Sequence, residues 1–162
     1  MLVLGIDPGT ATTGFGFVRQ ARDGSLESVA HGVILTPAKM PMPERLEKLY
    51  IELKQLIDLH RPESSAVEML FFQTNVKTAI SVGQARGVIL LALSQAGLPI
   101  GEYTPNEIKQ AVTGYGGADK HQMQEMTRML LGLAERPRPD DAADALAVAI
   151  THLHSSRLRG LE

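Results

Sequence analysis

The spacing of apolar residues along this chain predicts an alternation of short strands and longer helices. Three apolar, strand-like segments open the sequence, and two more follow between helical segments. The predicted strands are residues 1–7, 14–20, 26–36, 64–70 and 100–103. Because the first three follow one another through short turn-rich segments, we expect them to pair antiparallel.

Helical periodicity appears between and after these strands. Leu46, Leu49, Leu53 and Ile57 recur at the spacing of one helix face. The predicted helices are residues 43–60, residues 76–95, a segment that starts at Thr104 with capping-box spacing, a segment that starts near Asp119, and residues 140–155. This order predicts an α/β protein with a five-stranded mixed β-sheet flanked by α-helices.

The composition is that of one folded domain. The chain has 162 residues, 44% hydrophobic and 21% charged, so it can bury a core without a second domain. We assign this domain to residues 1–155 and a short C-terminal tail to residues 156–162. The longest apolar run, Val88 to Leu93, is too short to span a bilayer, and the N-terminus lacks a basic leader, so we expect a cytoplasmic protein.

The charge and the cysteine count limit the kinds of chemistry available. A formal net charge of −2 argues against a protein coated uniformly in positive charge, as a histone-like DNA binder would be. Two bound divalent cations would make the formal net charge positive, and the acidic surface that holds them would then attract phosphate. Cysteine is absent, so any metal site must use oxygen or imidazole ligands.

Two acidic residues stand in otherwise apolar strands. Asp7 ends the first strand, where it could face a ligand cleft or simply cap the turn at Pro8 and Gly9. Glu68 lies in the fourth predicted strand, where a buried charge requires a partner, unless it faces solvent from an edge strand. Each residue alone is therefore open to a structural interpretation.

A third acidic group opens the last predicted helix. Asp141 and Asp144 are three residues apart and share one helix face, while Asp140 is our choice for the helix cap. The alanines between them would let this helix approach the sheet and bring its acids towards Asp7 and Glu68. Carboxylates of this kind suit Mg²⁺ or Mn²⁺. A pair of such ions is suited to in-line hydrolysis of a phosphodiester.

Four motifs include the acids described above or lie between them: Gly5-Ile6-Asp7-Pro8-Gly9-Thr10, Val67-Glu68, Gly83-Gln84-Ala85-Arg86-Gly87 and Asp141-Ala142-Ala143-Asp144-Ala145-Leu146-Ala147. Through these motifs the sequence resembles the RuvC family of Holliday junction resolvases over about residues 1–154. The resemblance implies an RNase H-like fold and a homodimer that makes paired symmetric nicks in four-way junction DNA, leaving 5′-phosphate and 3′-hydroxyl ends. It also implies two Mg²⁺ or Mn²⁺ ions, roles in recombination and repair, and the partners RuvA and RuvB.

The same resemblance gives roles to particular residues. It implies that Asp7, Glu68, Asp141 and Asp144 are catalytic metal ligands. Lys109 and Lys120 match basic positions that contact DNA or support catalysis, although each could be a solvated surface cation.

Two further residues are predicted to bind DNA. Phe71 matches an aromatic position of the family, and we expect it to stack on an unpaired base while Phe72 is buried. Arg86 could contact phosphate or hold its helix against an acid.

Other functions fit parts of the pattern. Asp7-Pro8-Gly9-Thr10 before a glycine-containing hairpin also resembles the phosphate loop of actin-like ATPases and sugar kinases, but those enzymes need two such domains. A junction binder without nuclease activity, or a related nuclease acting on RNA or single strands, are the remaining alternatives.

Overall fold

The computed structural model describes residues 1–9, 11–69 and 75–159. Its strands are β1 (Leu2–Asp7), β2 (Thr12–Gln20), β3 (Leu26–Leu35), β4 (Ser64–Glu68) and β5 (Ile100–Tyr103). Its helices are α1 (Met42–His60), α2 (Val76–Gln95), α3 (Pro105–Thr113), α4 (Lys120–Leu130) and α5 (Asp140–Arg159). The predicted order of strands and helices is confirmed.

A few element boundaries differ from the predictions. Strand β2 begins at Thr12, before the predicted start, and β4 ends at Glu68, short of the predicted end at residue 70. Helix α5 continues to Arg159, so residues 156–159 are helical, although we assigned them to the tail. That segment contains no glycine or proline that would stop a helix.

The five strands form one mixed sheet in the order β3-β2-β1-β4-β5. The predicted antiparallel pairing of the first three strands is confirmed, and β4 and β5 add parallel to β1 on its other side. In the parallel pair, Ile6 lies opposite Val67. Asp7 and Glu68 follow those two residues directly, so both acids leave the sheet at the same edge.

Helices cover both faces of the sheet. On one face, α1 and α2 pack against Leu4, Ile6 and Phe17. On the other face, α5 crosses the sheet with α3 and α4 beside it, and the core includes Val3 and Leu146. Because side chains alternate along a strand, Asp7 shares the α5 face with Val3.

Helix α3 starts as its capping residues predict. The Thr104 side chain accepts a hydrogen bond from the Glu107 N–H, and the Glu107 carboxylate accepts one from the Thr104 N–H. The helix ends at Gly114, whose φ of 75° is left-handed. These two ends fix the helix that carries Lys109.

Helix α2 is long and apolar enough to cross a membrane by length and composition alone. It nevertheless packs against α1 and the sheet, and it buries Ala85, Ile89, Ala92 and Leu93. Its other face exposes Val76, Ile80 and Leu91. The apolar run from Val88 to Leu93 is therefore divided between the core and the surface.

Candidate active site

Glycines in β1 and β2 allow the start of α5 to lie directly on the sheet. A Cβ atom at Gly14 would stand 1.9 Å from the carbonyl oxygen of Asp141, and one at Gly5 would stand 2.2 Å from that of Ala145. Because Gly14 is the cross-strand partner of Asp7, this contact brings Asp141 beside Asp7. Ala142 and Ala145 are fully buried, as we predicted for the alanines that let this helix approach the sheet.

The close contact at these glycines was not among the predictions from the sequence. A signal for them was present, because Gly5, Gly14 and Gly16 interrupt apolar strands, where glycine weakens a strand and marks a close approach of another backbone. Gly16 repeats the arrangement, since a Cβ atom there would stand 2.9 Å from the backbone nitrogen of Leu146.

Three carboxylates converge where α5 meets the end of β1. One oxygen from each of Asp7, Asp141 and Asp144 lies within 4.8 Å of the others, and all three residues are half-buried. Three like charges at this distance repel one another unless a cation or protons offset them. Hard oxygen donors that converge in this way fit a divalent cation of the Mg²⁺ class.

Glu68 lies beside this group and interacts most strongly with Asp7. Burial, the nearby Glu68 carboxylate and a hydrogen bond with it raise the pKa of Asp7 to about 9, with smaller contributions from Asp144 and Asp141. Burial also raises the pKa of Glu68, against the opposing effects of its hydrogen bond with Asp7 and of Lys109 and Lys120. Without a metal ion, burial and the mutual repulsion of the two carboxylates therefore favour protonation of the Asp7–Glu68 pair.

Lys120 lies beside the acids of α5. Its Nζ is 3.4 Å from Oδ2 of Asp140 and 3.9 Å from Oδ2 of Asp144. Partial burial opposes the charge of Lys120, but Asp144 and Asp140 together raise its pKa. Burial raises the pKa of Asp144 to about 6, although Lys120 lowers it. The ammonium group is therefore held at the edge of the carboxylate cluster.

A cleft of about 260 Å³ runs from the carboxylates between α3, α4 and α5. Its lining includes the acids Glu68 and Asp144 together with Lys109 and Lys120. Acids that could hold cations and two lysines therefore line the same space, which is open to solvent. A phosphate group in this cleft would meet positive charge from the lysines and from any metal ions that the acids held.

Arg86 lies outside that cleft and is occupied by contacts within the chain. One guanidinium nitrogen donates to the carbonyl oxygen of Glu68 at 2.7 Å, and the other forms an ion pair with Glu102. The structure thus places Arg86 in the second of its two predicted roles, holding α2 against an acid. Contact with DNA by Arg86 stays a prediction.

Asp140 does not occupy the predicted cap position. The helix begins at Asp140 itself, and the carbonyl oxygen of Pro139 accepts the first helical hydrogen bonds, from Ala142 and Ala143. The Asp140 carboxylate instead accepts a hydrogen bond from the Gln124 side chain at 3.0 Å and pairs with Lys120. The prediction of a capping role for Asp140 was wrong because these tertiary partners take its carboxylate.

Phe71 and Phe72 lie outside the described residues.

The model of one protein family, described as crossover junction endodeoxyribonuclease RuvC, matches residues 3–152 of this chain. The chain belongs to the RuvC family. A family member from Chloroflexus aurantiacus, a crossover junction endodeoxyribonuclease RuvC, is 60% identical over 156 residues, which cover 96% of this chain and 94% of that protein. The resemblance deduced from the sequence motifs is therefore confirmed, and membership of this nuclease family implies the use of divalent metal ions.

Solved structures of RuvC proteins share this fold. The structure of Thermus thermophilus RuvC in complex with a Holliday junction substrate matches with a TM-score of 0.93 and 38% identity, covering 98% of this chain and 96% of that one. The yeast mitochondrial Holliday junction resolvase Ydc2 matches with a TM-score of 0.70 at 15% identity, covering 98% of this chain and 80% of that one, which supports the fold alone. The predicted RNase H-like fold is confirmed.

Proposed function

We propose that this protein is an endonuclease that resolves four-way DNA junctions by paired symmetric nicks during recombination and repair in the cytoplasm. The observation that carries the proposal is the cluster of Asp7, Asp141 and Asp144, with Glu68 beside it, at the mouth of a cleft lined by two lysines. The junction-bound T. thermophilus RuvC supports the choice of substrate.

We propose that Asp7, Glu68, Asp141 and Asp144 hold two Mg²⁺ ions, with Mn²⁺ as a substitute. The converging oxygens of Asp7, Asp141 and Asp144, with Glu68 hydrogen-bonded to Asp7, support this proposal, because repelling carboxylates at this spacing are stabilised by bound cations. When bound, such ions supply activation of the attacking water and stabilisation of the leaving 3′ oxygen. The four acids are therefore assigned both as ligands and as catalytic residues.

The two lysines contribute positive charge that belongs to the chain itself. Lys120, between Asp140 and Asp144, is assigned to the scissile phosphate, where its ammonium group offsets negative charge that develops in the transition state. Lys109, which lines the same cleft from α3, is assigned to the DNA backbone. Base stacking by Phe71 and cooperation with RuvA and RuvB stay predictions.

We also propose that two copies of the chain act together, because two symmetric nicks need two active sites. The exposed apolar face of α2 supports this proposal: Val76 is 69% exposed, Ile80 58% and Leu91 53%. Gly83 and Gly87 lie on the same helix, and added Cβ atoms there would meet nothing within 4 Å. A second copy of α2 would cover this face and could approach closely at the glycines.

The function is tested with a labelled four-way junction, a linear duplex and an RNA duplex, each with and without Mg²⁺. We expect metal-dependent paired nicks in the junction alone. Asp141→Asn and Asp144→Asn should each suppress cleavage and retain junction binding, because the amide keeps the shape of the side chain and loses its charge. Near-normal cleavage by both variants in saturating Mg²⁺ would contradict the assignment of the α5 acids.

The dimer is tested by sedimentation of the Leu91→Glu variant. We expect it to be monomeric and to lose paired nicking, since a charge on this face cannot be buried against a partner without cost. Leu59→Glu is the matched control, because Leu59 is 74% exposed on α1. A wild-type protein that sediments as a monomer at concentrations where both nicks form efficiently would refute the proposal.

A further inference from the structure

A second groove borders the carboxylate cluster and shares no lining residue with the lysine cleft. It has a volume of about 820 Å³ and lies between α4 and the segment that leads into α5, which we call the proline–arginine loop (residues 135–139). Its lining includes Gln124, Arg138 and Asp141. Because Asp141 belongs to the carboxylate cluster, the groove continues from the proposed site of cleavage.

The two arginines of the loop differ in their contacts. Arg136 is held by the chain, with its Nε 3.2 Å from Oε2 of Glu125 and a second contact to His121. Arg138 is exposed, and within residues 1–9, 11–69 and 75–159 its side chain has neither a hydrogen bond nor an ion pair. Arg138 is therefore available to a ligand, whereas Arg136 is already engaged.

The loop holds Arg138 in a defined place. Pro137 before it is buried and Pro139 follows it, and both rings restrict the backbone. The next residue is Asp140, which is fixed by Gln124 and Lys120. The restrained backbone limits the entropy that is lost when Arg138 binds an anion mainly to that of its side chain.

The charges around the groove indicate which anion fits. A single DNA strand that crosses the carboxylates carries about one charge per 3.4 Å of duplex axis, so phosphates on both sides of the cut must be accommodated. On the cleft side, Lys109 and Lys120 meet them. On the groove side, Asp140 and Asp141 would repel them, and Arg138 supplies a cation without a partner in the described chain.

We propose that Arg138 binds a backbone phosphate of the DNA strand being cut, adjacent to the scissile phosphate. Its planar guanidinium suits two parallel hydrogen bonds to phosphate oxygens. The contact positions the strand and does not take part in bond cleavage. This inference rests on the proposed function, because the carboxylates define where the cut occurs.

The first test is junction binding by Arg138→Ala as a function of salt concentration, in Ca²⁺ to prevent cleavage. We expect Kd to rise about tenfold at low salt. We also expect the slope of log K against log salt to become less steep by about one, which corresponds to the loss of one phosphate contact. Single-turnover cleavage at saturating enzyme should remain close to wild type. Arg138→Lys should restore part of the affinity, because it restores the charge.

The matched control is Arg22→Ala, which removes an exposed arginine from the turn between β2 and β3, at the opposite end of the sheet. A second test replaces single phosphates near the cut with uncharged methylphosphonates. At the phosphate that Arg138 binds, Arg138→Ala should cause no further loss of affinity. If Arg138→Ala has the Kd and salt slope of Arg22→Ala, the proposal is overturned.

Failure of this inference is distinct from failure of the proposed function. Metal-dependent cleavage that is lost in Asp141→Asn, together with a Kd and a salt slope that are unchanged in Arg138→Ala, would keep the function and remove the phosphate contact. A lower saturated cleavage rate with unchanged binding and salt slope would also overturn the assignment of Arg138 to a backbone phosphate.

Discussion

Replacement of Gly14 with alanine should displace the start of α5 and slow cleavage without unfolding the protein. The new Cβ atom would stand 1.9 Å from the carbonyl oxygen of Asp141 and 2.5 Å from its carbonyl carbon. Ordinary non-bonded contacts are about 3.5 Å. The first turn of α5 must therefore move away from β2 by an amount on the order of 1 Å, because both contacts are with backbone atoms.

That movement should affect catalysis more than stability. A misplacement of about 1 Å can cost about 10²-fold in rate, since it separates Asp141 from Asp7. Overpacking in a core commonly costs about 1–3 kcal/mol, which corresponds to a fall in Tm of about 2–12 °C for a domain of this size. Single-turnover cleavage of a labelled junction in saturating Mg²⁺ and a thermal melt measure the two effects.

Gly32→Ala is the matched control for this experiment. It adds the same atom to the neighbouring strand β3, but the nearest atom would be the tip of the Phe15 ring at 2.9 Å, and a side chain can move aside. We expect this variant to cut at nearly the wild-type rate. If Gly14→Ala also kept the wild-type rate and Tm, the close contact between β2 and α5 would not be what positions the acids.

Three further predictions concern the charges of the site. In EDTA, which removes metal ions, the Tm should fall as the pH rises from about 4 to 9. The fold raises the pKa of Asp7 to about 9 and that of Asp144 to about 6. The stability that comes from a raised carboxyl pKa is lost as the pH rises through that pKa. Asp7→Asn should flatten that fall and stabilise the metal-free protein at pH 8, whereas an unchanged pH profile would show that Asp7 is not protonated in the fold. Lys120→Ala should slow single-turnover cleavage by about 10² to 10³-fold, and unchanged cleavage with weaker binding would reduce Lys120 to a phosphate anchor. Asp140→Asn should change the single-turnover cleavage rate by less than about fivefold, because its ion pair with Lys120 is exposed and such pairs contribute at most about 1 kcal/mol. A loss of rate as large as that of Lys120→Ala would show that Asp140 is itself needed for cleavage.

The sequence by itself determined the order of the elements and the identity of the acids. Apolar periodicity and helix caps are local properties, so α2 and β5 could be predicted to the residue, and the capping box at Thr104 could be read from its spacing. Asp7 and Glu68 stood out because a carboxylate in an apolar strand requires a partner. The RuvC motifs then related these acids to one another.

Only the tertiary structure decided which groups meet. Strand β1 is buried on both faces, so no alternation in its sequence reveals that Asp7 faces α5. The register of the parallel strands places Glu68 beside Asp7, and Gly14 admits Asp141 to the same place. These are contacts between residues far apart in the chain, so they could not be predicted from local spacing in the sequence.

The same reason explains the residues whose roles changed. Arg86 was open to two interpretations until Glu102 and the Glu68 carbonyl were found within its reach. Asp140 stands where the sequence predicts a helix cap, but its carboxylate interacts with Lys120 and Gln124 instead. A polar side chain binds the partner that the fold brings nearest, and that partner is determined by packing between elements distant in sequence.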